Sequence, residues 1–397
     1  MRYIKKIVLV GIAVLIAVQV PFVYRRYQLS KVAEKIAAAD QDRQVNQNSQ
    51  FDEYKGVIHA HTNLGGHSTG SFDELISGAN AADLDFVLMT EHWSDDYDTS
   101  ALTLNGKYGK TLFVGGNEID TDDGDRFLMI PGSAEAAGLR KLSTTAVIDK
   151  LHTEQRLALI TYPEKYQSWN AEFDGVEVFS LHTAGKQMNW FTAFFDVLWS
   201  GKSYPELTFA QYFRRPDSNL ARYDEAAVRR KTSLVSGTDA HSNIGFHLLG
   251  DDSGNKLLNF KIDSYKFSYS IVRTHILLAK GTPVSREAVI DAVRAGRFFT
   301  GFEAFGDTTG FSFTCGDKAA GDEVSFADGS NFKVVTPIKA RIVTFKNGVK
   351  FDEQMDVREV TVKPNGVGAY RVEVYRDDLG EPFSKMPWII SNPIYIR

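Results

Sequence analysis

Cysteine is nearly absent from the 397-residue chain. Cys315 stands alone, which excludes an internal disulfide and a thiolate zinc cluster. Proline is sparse at 11 residues, and charged residues make up 24% against 43% hydrophobic. That balance excludes a disordered, collagen-like or low-complexity protein. A surplus of positive charge is missing too: 45 Lys plus Arg face 50 Asp plus Glu, a net charge of -5. No global basic surface therefore points to a nucleic-acid partner. Any metal ligands must be nitrogen or oxygen, and nine histidines are available.

One long hydrophobic run is present, Ile7 to Val23, preceded by Arg2, Lys5 and Lys6 and followed by Arg25 and Arg26. As a helix it would extend roughly 26 Å, slightly short of a bilayer core. Pro21-Phe22-Val23-Tyr24 follows where a cleavage site would need small residues, so the run reads as an uncleaved signal anchor, a single-pass transmembrane segment within residues 1–26. Basic residues flank both ends and barely set the orientation. An exported body, periplasmic or extracellular, is expected, because short N-terminal anchors of this form usually precede one. Residues 27–54 turn polar and end in QDRQVNQNSQ, expected to be a helical stalk and a tether.

The chemistry-bearing residues follow at the ends of strand-like runs. Gly56 to Ile58 leads into His59-Ala60-His61, and strand alternation sends both imidazoles to one side. His67 lies one loop later, past Gly65-Gly66. An amphipathic stretch, Ser71 to Ala82, predicts a helix, and Asp85 to Thr90 predicts a second strand ending in Glu91-His92. Thr111 to Asn117 ends in Glu118, and Ser233 to Thr238 ends in Asp239-Ala240-His241. This β-α-β rhythm gathers groups at strand C-termini. Imidazole with carboxylate suits zinc, iron or manganese, and Glu118 has the chemistry to bridge two ions.

These ordered motifs, His59-Ala60-His61-Thr62, His67, Glu91-His92, Glu118 and Gly237-Thr238-Asp239-Ala240-His241, resemble those of the PHP (polymerase and histidinol phosphatase) family over roughly residues 55–305. The resemblance implies an α/β fold, a distorted (β/α)7 barrel with two or three metal ions, and in many members phosphoester hydrolysis. It implies one metal held by His59, His61, Glu118 and Asp239, another by His67, His92 and His241, and a bridge from Glu118 to a further ion. Two positions depart from the pattern. Tyr162-Pro163 stands where the family usually has His-Pro, so Tyr162 is either a ligand as phenolate or a substrate contact, and two divalent ions are expected with a third weakly held. His182 is the candidate that would compensate. Glu91 replaces the family's usual Asp.

Other segments are plainer. Asp120-Thr121-Asp122-Asp123-Gly124-Asp125 reads as a turn rather than a calcium loop, with Asp125 or Arg126 the residues to face substrate. His152, His247 and His275 are taken as structural. An aromatic insertion, Asn189 to Ala210, is expected to pack on the barrel; capping the site, lining an apolar pocket and touching a membrane are its alternatives. Short alternating strands over residues 306–397 read as a small C-terminal β-sandwich, as in the PHP subgroup that contains carbaryl hydrolase.

The expectation is a membrane-anchored metallohydrolase acting on a small, phosphorylated substrate through a hydroxide held at the metal site. Asp239 and His241 would relay protons beside Glu118. An amide, carbamate or ester hydrolase on the same site is the nearest alternative, and a non-catalytic metal-binding envelope protein is the other.

Overall fold

The structure is a computed structural model that describes residues 2–45, 50–243, 245–247, 259–261 and 263–397; the side chain of His247 and part of the expected tether lie outside that description. The first element is α1 (Arg2–Gln41), one helix running through Pro21 from the apolar run into the expected stalk. It is the one helix among the described residues long and apolar enough to cross a membrane. Ile4, Leu9, Leu15, Ile16 and Val20 are exposed, whereas Phe22, Leu29 and Val32 are buried. Leu29 and Val32 join the main apolar cluster of the body, so the stalk lies along the body rather than standing off it.

The chain then alternates strands and helices: β1 (Phe51–Ala60), α2 (Phe72–Ala81), β2 (Phe86–Met89), β3 (Glu91–His92), β4 (Thr111–Val114), β5 (Asn117–Asp120) and β6 (Arg126–Ile130). It continues through α3 (Thr144–Thr153), β7 (Leu157–Ile160), β8 (Gly175–Ser180), α4 (Leu181–Lys186), α5 (Trp190–Ser200), α6 (Asp217–Arg229) and β9 (Ser233–Gly237). α2 starts where Ser71 caps it with a capping box to Glu74, and it buries Leu75 and Ala79 against the sheet. β2 and β7 are buried along their whole length, which is why they read as continuous apolar runs and not as alternating ones.

The last part contains β10 (Arg273–Ala279), α7 (Arg286–Ala295), β11 (Phe298–Gly301), β12 (Ser312–Cys315), β13 (Phe332–Lys346), β14 (Val349–Val362), β15 (Gly368–Tyr375) and β16 (Ile389–Ser391). Two sheets hold the site. One path runs from β12 through β13, β15, β16, β11, β10, β1 and β2 to β4; the other runs β9, β8, β7, β6, β5, β3. β1, β2 and β4 are parallel, as are β7, β8 and β9. The sheets meet where Thr238 N–H donates to Ile58 O at 3.0 Å and His61 N–H donates to Ala240 O at 3.0 Å. That seam brings the ends of β1 and β9 together.

The C-terminal strands extend the same sheet, because β16 pairs with β11. The residues around Val334 and Val343 lie on one strand, β13, with its register against β14 slipping between Val335 and Ala340 around Pro337. Buried charges tie this region to the helices: Arg371 donates to both oxygens of Asp224 on α6 at 2.8 and 2.7 Å, and Arg215 grips Glu373 at 2.8 and 2.6 Å. Arg215 is thus engaged inside the fold.

Candidate metal centre

Of the strand ends that supply the centre, three leave regular geometry at the residue that matters. His59 in β1 has φ 72°, Tyr162, two residues past β7, has φ 52°, and Asp239, two residues past β9, has φ 47°. Non-glycine residues held there cost on the order of 1 kcal/mol each and persist only where their surroundings dictate it. The β1–β2 register slips between Ile58 and Ala60, so simple strand alternation does not hold at His59. His59 and His61 nonetheless converge, with ring centroids 5.0 Å apart.

The convergence is tight. Asp239 Oδ1 lies 3.3 Å from His59 Nε2 and 3.3 Å from His61 Nε2, and Glu118 Oε2 lies 3.6 and 3.4 Å from the same two atoms. His92 Nδ1 is 3.5 Å from Glu118 Oε2. The rings of His92 and His241 stack on that of His61, with centroids 4.6 and 4.4 Å away. Three overlapping groups could each hold an ion: His59, His61, Glu118 and Asp239; His61, His92 and His241; and His182, Asp239 and His241. His67 stays outside these groups. It is exposed and touches the cluster edge-on, its ring centroid 4.7 Å from that of His92.

Donor chemistry tests whether a cation fits. His59 Nε2, both ring nitrogens of His61 and Asp239 Oδ1 are buried without a hydrogen-bond partner. Buried polar atoms are almost always paired, and leaving several unpaired at one point is costly. A divalent ion would take a lone pair from His59 Nε2, from one ring nitrogen of His61 and from Asp239 Oδ1, so the residues fit one.

Surrounding residues orient the ligand atoms. His59 Nδ1 pairs with Glu177 Oε1 at 2.7 Å, which turns Nε2 toward Asp239 and Glu118. Thr161 Oγ1 donates to the other oxygen of Glu177 at 2.5 Å. Glu177, on β8, is a site residue that the motifs do not mark. Its signal is a lone carboxylate within the otherwise apolar run Val176-Glu177-Val178. Glu91 accepts from Thr62 Oγ1 at 2.6 Å, Thr62 N at 3.0 Å and Thr103 Oγ1 at 2.9 Å, so it orients the β1 loop. The His241 imidazole fixes its Nδ1 on the Asp239 carbonyl at 2.8 Å.

Electrostatics follow from burial and proximity. Burial, with His241 beside it, pushes His61 down to about 3, and burial pushes His92 and His182 down to about 4. Burial opposes ionisation of Glu118, yet the hydrogen bond and charge of His59 hold it down to about 2. His59 resists its own burial because Glu177 and Asp239 hold it well above the usual imidazole range.

Tyr162 donates its hydroxyl to Asp239 Oδ2 at 2.9 Å, and burial with the Asp239 charge pushes the phenol far above its ordinary value. In this geometry the neutral phenol holds Asp239. Arg126 reaches Glu118 Oε1 at 3.5 Å, bonds Asp120 Oδ1 at 2.5 Å and lies over the Tyr162 ring. Asp125 turns inward instead: it is buried and accepts from Gln167 N at 2.7 Å and Thr144 Oγ1 at 2.9 Å, so it anchors a loop.

No family model matches the chain, and no curated protein matches it. Among solved structures, the chain is similar to PsfC from Pseudomonas syringae PB-5123, with 11% identity, a TM-score of 0.38, and coverage of 63% of this chain and 93% of that one. It is also similar to a two-domain protein containing a predicted PHP-like metal-dependent phosphoesterase from Bacteroides vulgatus ATCC 8482. There the identity is 12%, the TM-score 0.39, and the coverage 89% of this chain and 97% of that one. Both TM-scores lie below 0.5, a coarse likeness that says nothing of chemistry.

Proposed function

We propose that the chain is a PHP-type metallohydrolase that cleaves a phosphoester of a small molecule. The observation that carries this reading is the set of buried, unpartnered ligand atoms of His59, His61 and Asp239, facing Glu118 at one point. The seam between β1 and β9 is what a (β/α)7 barrel closing on itself would need. His59, His61, Glu118 and Asp239 would hold one ion and His61, His92 and His241 would border a second. His182 with Asp239 and His241 offers a third set, in place of the histidine absent at Tyr162. Exposed His67 would join only as an outer ligand.

Divalent ions bound there (zinc, manganese or iron) would supply Lewis acidity toward a phosphoryl oxygen and activate a water. The protein groups do the rest. Glu177 fixes the His59 ring, Tyr162 occupies Asp239 Oδ2 and leaves Oδ1 free, and Arg126 sets a guanidinium beside Glu118 where an anionic substrate would enter. His241, held by its Nδ1 on the Asp239 carbonyl, would offer its other ring nitrogen as a ligand, and the departing alkoxide would take its proton from water.

The test is a substrate panel with the manganese- or zinc-loaded protein: p-nitrophenyl phosphate esters against p-nitrophenyl acetate and aryl carbamates. Phosphoester turnover that disappears in Asp239→Asn supports the proposal. Turnover of carbonyl substrates alone overturns it in favour of amide, carbamate or ester hydrolysis.

A further inference from the structure

Helix α5 turns two unlike faces outward and inward. Ala193, Asp196 and Ser200 are buried, whereas Phe191, Phe194 and Leu198 are 70%, 50% and 66% exposed. Their i, i+3, i+7 spacing makes one continuous apolar stripe on the outside of the protein. Trp190 and Trp199, at the two ends of the helix, are exposed as well.

This stripe lies beside the apolar segment of α1, at one end of it. Trp199 Nε1 donates to Gln19 Oε1 at 2.9 Å, the rings of Phe22 and Phe195 lie 4.9 Å apart, and Arg25 pairs with Asp196 at 2.8 Å. Arg26 bonds the Trp199 carbonyl and reaches Ser203 Oγ at 3.1 Å. The contact falls where the exposed apolar residues of α1 give way to Arg25 and Arg26, the level at which a spanning helix leaves hydrocarbon for headgroups. Tryptophans and arginines at that level, beside an exposed aromatic stripe, match a helix lying in the interface plane.

An apolar pocket connects the same helix to the candidate centre. Trp190 shares its wall with Met188, Phe213 and Phe267, and at its inner end the wall is His182, Asp239 and His241. Lys186 also lines the pocket.

We propose that α5 seats the protein on the bilayer beside α1, and that the centre takes its substrate from the lipid phase: a phosphoester carrying a long apolar chain, which lies along the Trp190–Phe213 wall. The substrate half rests on the phosphoesterase reading above. In the reaction, water oxygen bonds to phosphorus and the ester P–O bond breaks. The alcohol takes the proton and remains with the membrane, and phosphate leaves into water.

The test uses the full chain in phosphatidylcholine vesicles. For depth, Leu198→Cys carries a fluorophore, Val349→Cys is the reference, and buried Cys315 is left in place. Lipids with doxyl groups on their chains should quench the label at position 198 several-fold more than that at 349; equal quenching overturns membrane seating. For substrate, the manganese-loaded Phe191→Ser/Leu198→Ser double variant should lose tenfold or more on vesicle-borne lysophosphatidic acid. It should keep p-nitrophenyl phosphate turnover within about twofold. Equal effects on the two esters overturn the lipid-phase substrate. Hydrolysis of neither ester by the unaltered protein sinks the phosphoesterase reading and the substrate half together, while quenching decides the seating independently.

Discussion

Glu177 Oε1 sits 2.7 Å from His59 Nδ1 and 1.8 Å from where a Cβ on residue 237 would be. A carboxylate, an imidazole and a glycine therefore form one unit behind the centre. The carboxylate fixes the ring, and the missing side chain at Gly237 makes room for the carboxylate. Neither Glu177 nor Gly237 offers a free ligand atom, yet both decide where His59 Nε2 points.

Replacing Glu177 with Gln keeps the size and removes the charge. Losing such a partner typically costs ten- to a hundred-fold in metal affinity or activity. Metal titration of Glu177→Gln by competition with a chelating dye should show a fall in that range while the folded state persists. Unchanged affinity would mean that the His59 ring is held by its packing alone.

Gly237→Ala should be more damaging than its size suggests. The added methyl meets Glu177 Oε1 at 1.8 Å and His59 Cβ at 2.9 Å, so the pair must separate. We expect a loss of roughly 1–3 kcal/mol in denaturant unfolding together with weakened metal binding. Adding Glu177→Ala should relieve part of that loss, a coupling that a double-mutant cycle measures directly.

Arg126→Met addresses the phosphoester preference. The guanidinium is partly exposed beside Glu118, placed to meet an anion rather than to hold the fold. KM for a phosphate monoester should rise about tenfold with a smaller change in kcat, and turnover of neutral esters should stay level. Equal losses on both substrate types would assign Arg126 to orienting Glu118.

A pH signature arises away from the centre. His275 on β10 is buried between Glu53 Oε1 at 2.6 Å and Glu303 Oε1 at 3.0 Å. Burial opposes its charge, but the hydrogen bonds to Glu303 and Glu53 raise it to about 9. The folded value lies above the ordinary imidazole value, so the stabilisation is fully present below about pH 6.5 and is lost as pH rises through about 9. The unfolding free energy of the unaltered protein minus that of His275→Gln should shrink by roughly 2–3 kcal/mol over that window. A difference independent of pH would contradict the ion-pair assignment.

Much of the centre is legible in residue order alone, because ligand-type side chains at the ends of apolar runs announce themselves. His59, His61, His92, Glu118, Asp239 and His241 are of that kind, and the structure draws them to one point. Glu177 is not, since nothing local tells that a carboxylate inside a buried strand faces a histidine 118 residues away. Asp125 is the converse: its neighbour Arg126 reaches the centre, while Asp125, one residue before β6, is buried and accepts from Gln167 N. The left-handed backbone at His59 and Asp239 is set by the seam between distant strands, a relationship that periodicity cannot carry. In the same way, the run after Tyr27 reads as a polar stalk by composition, although Leu29 and Val32 are buried against the body.

The central claim is that the buried nitrogen and oxygen atoms around Asp239 hold divalent ions. Elemental analysis of the purified full chain, set beside Asp239→Asn, tests it most directly, because Asp239 belongs to two of the three ligand groups. We predict two or more equivalents of zinc, manganese or iron per chain, falling by at least one in the variant. A chain that takes up no metal when offered these ions, or a content unchanged by Asp239→Asn, would contradict the account.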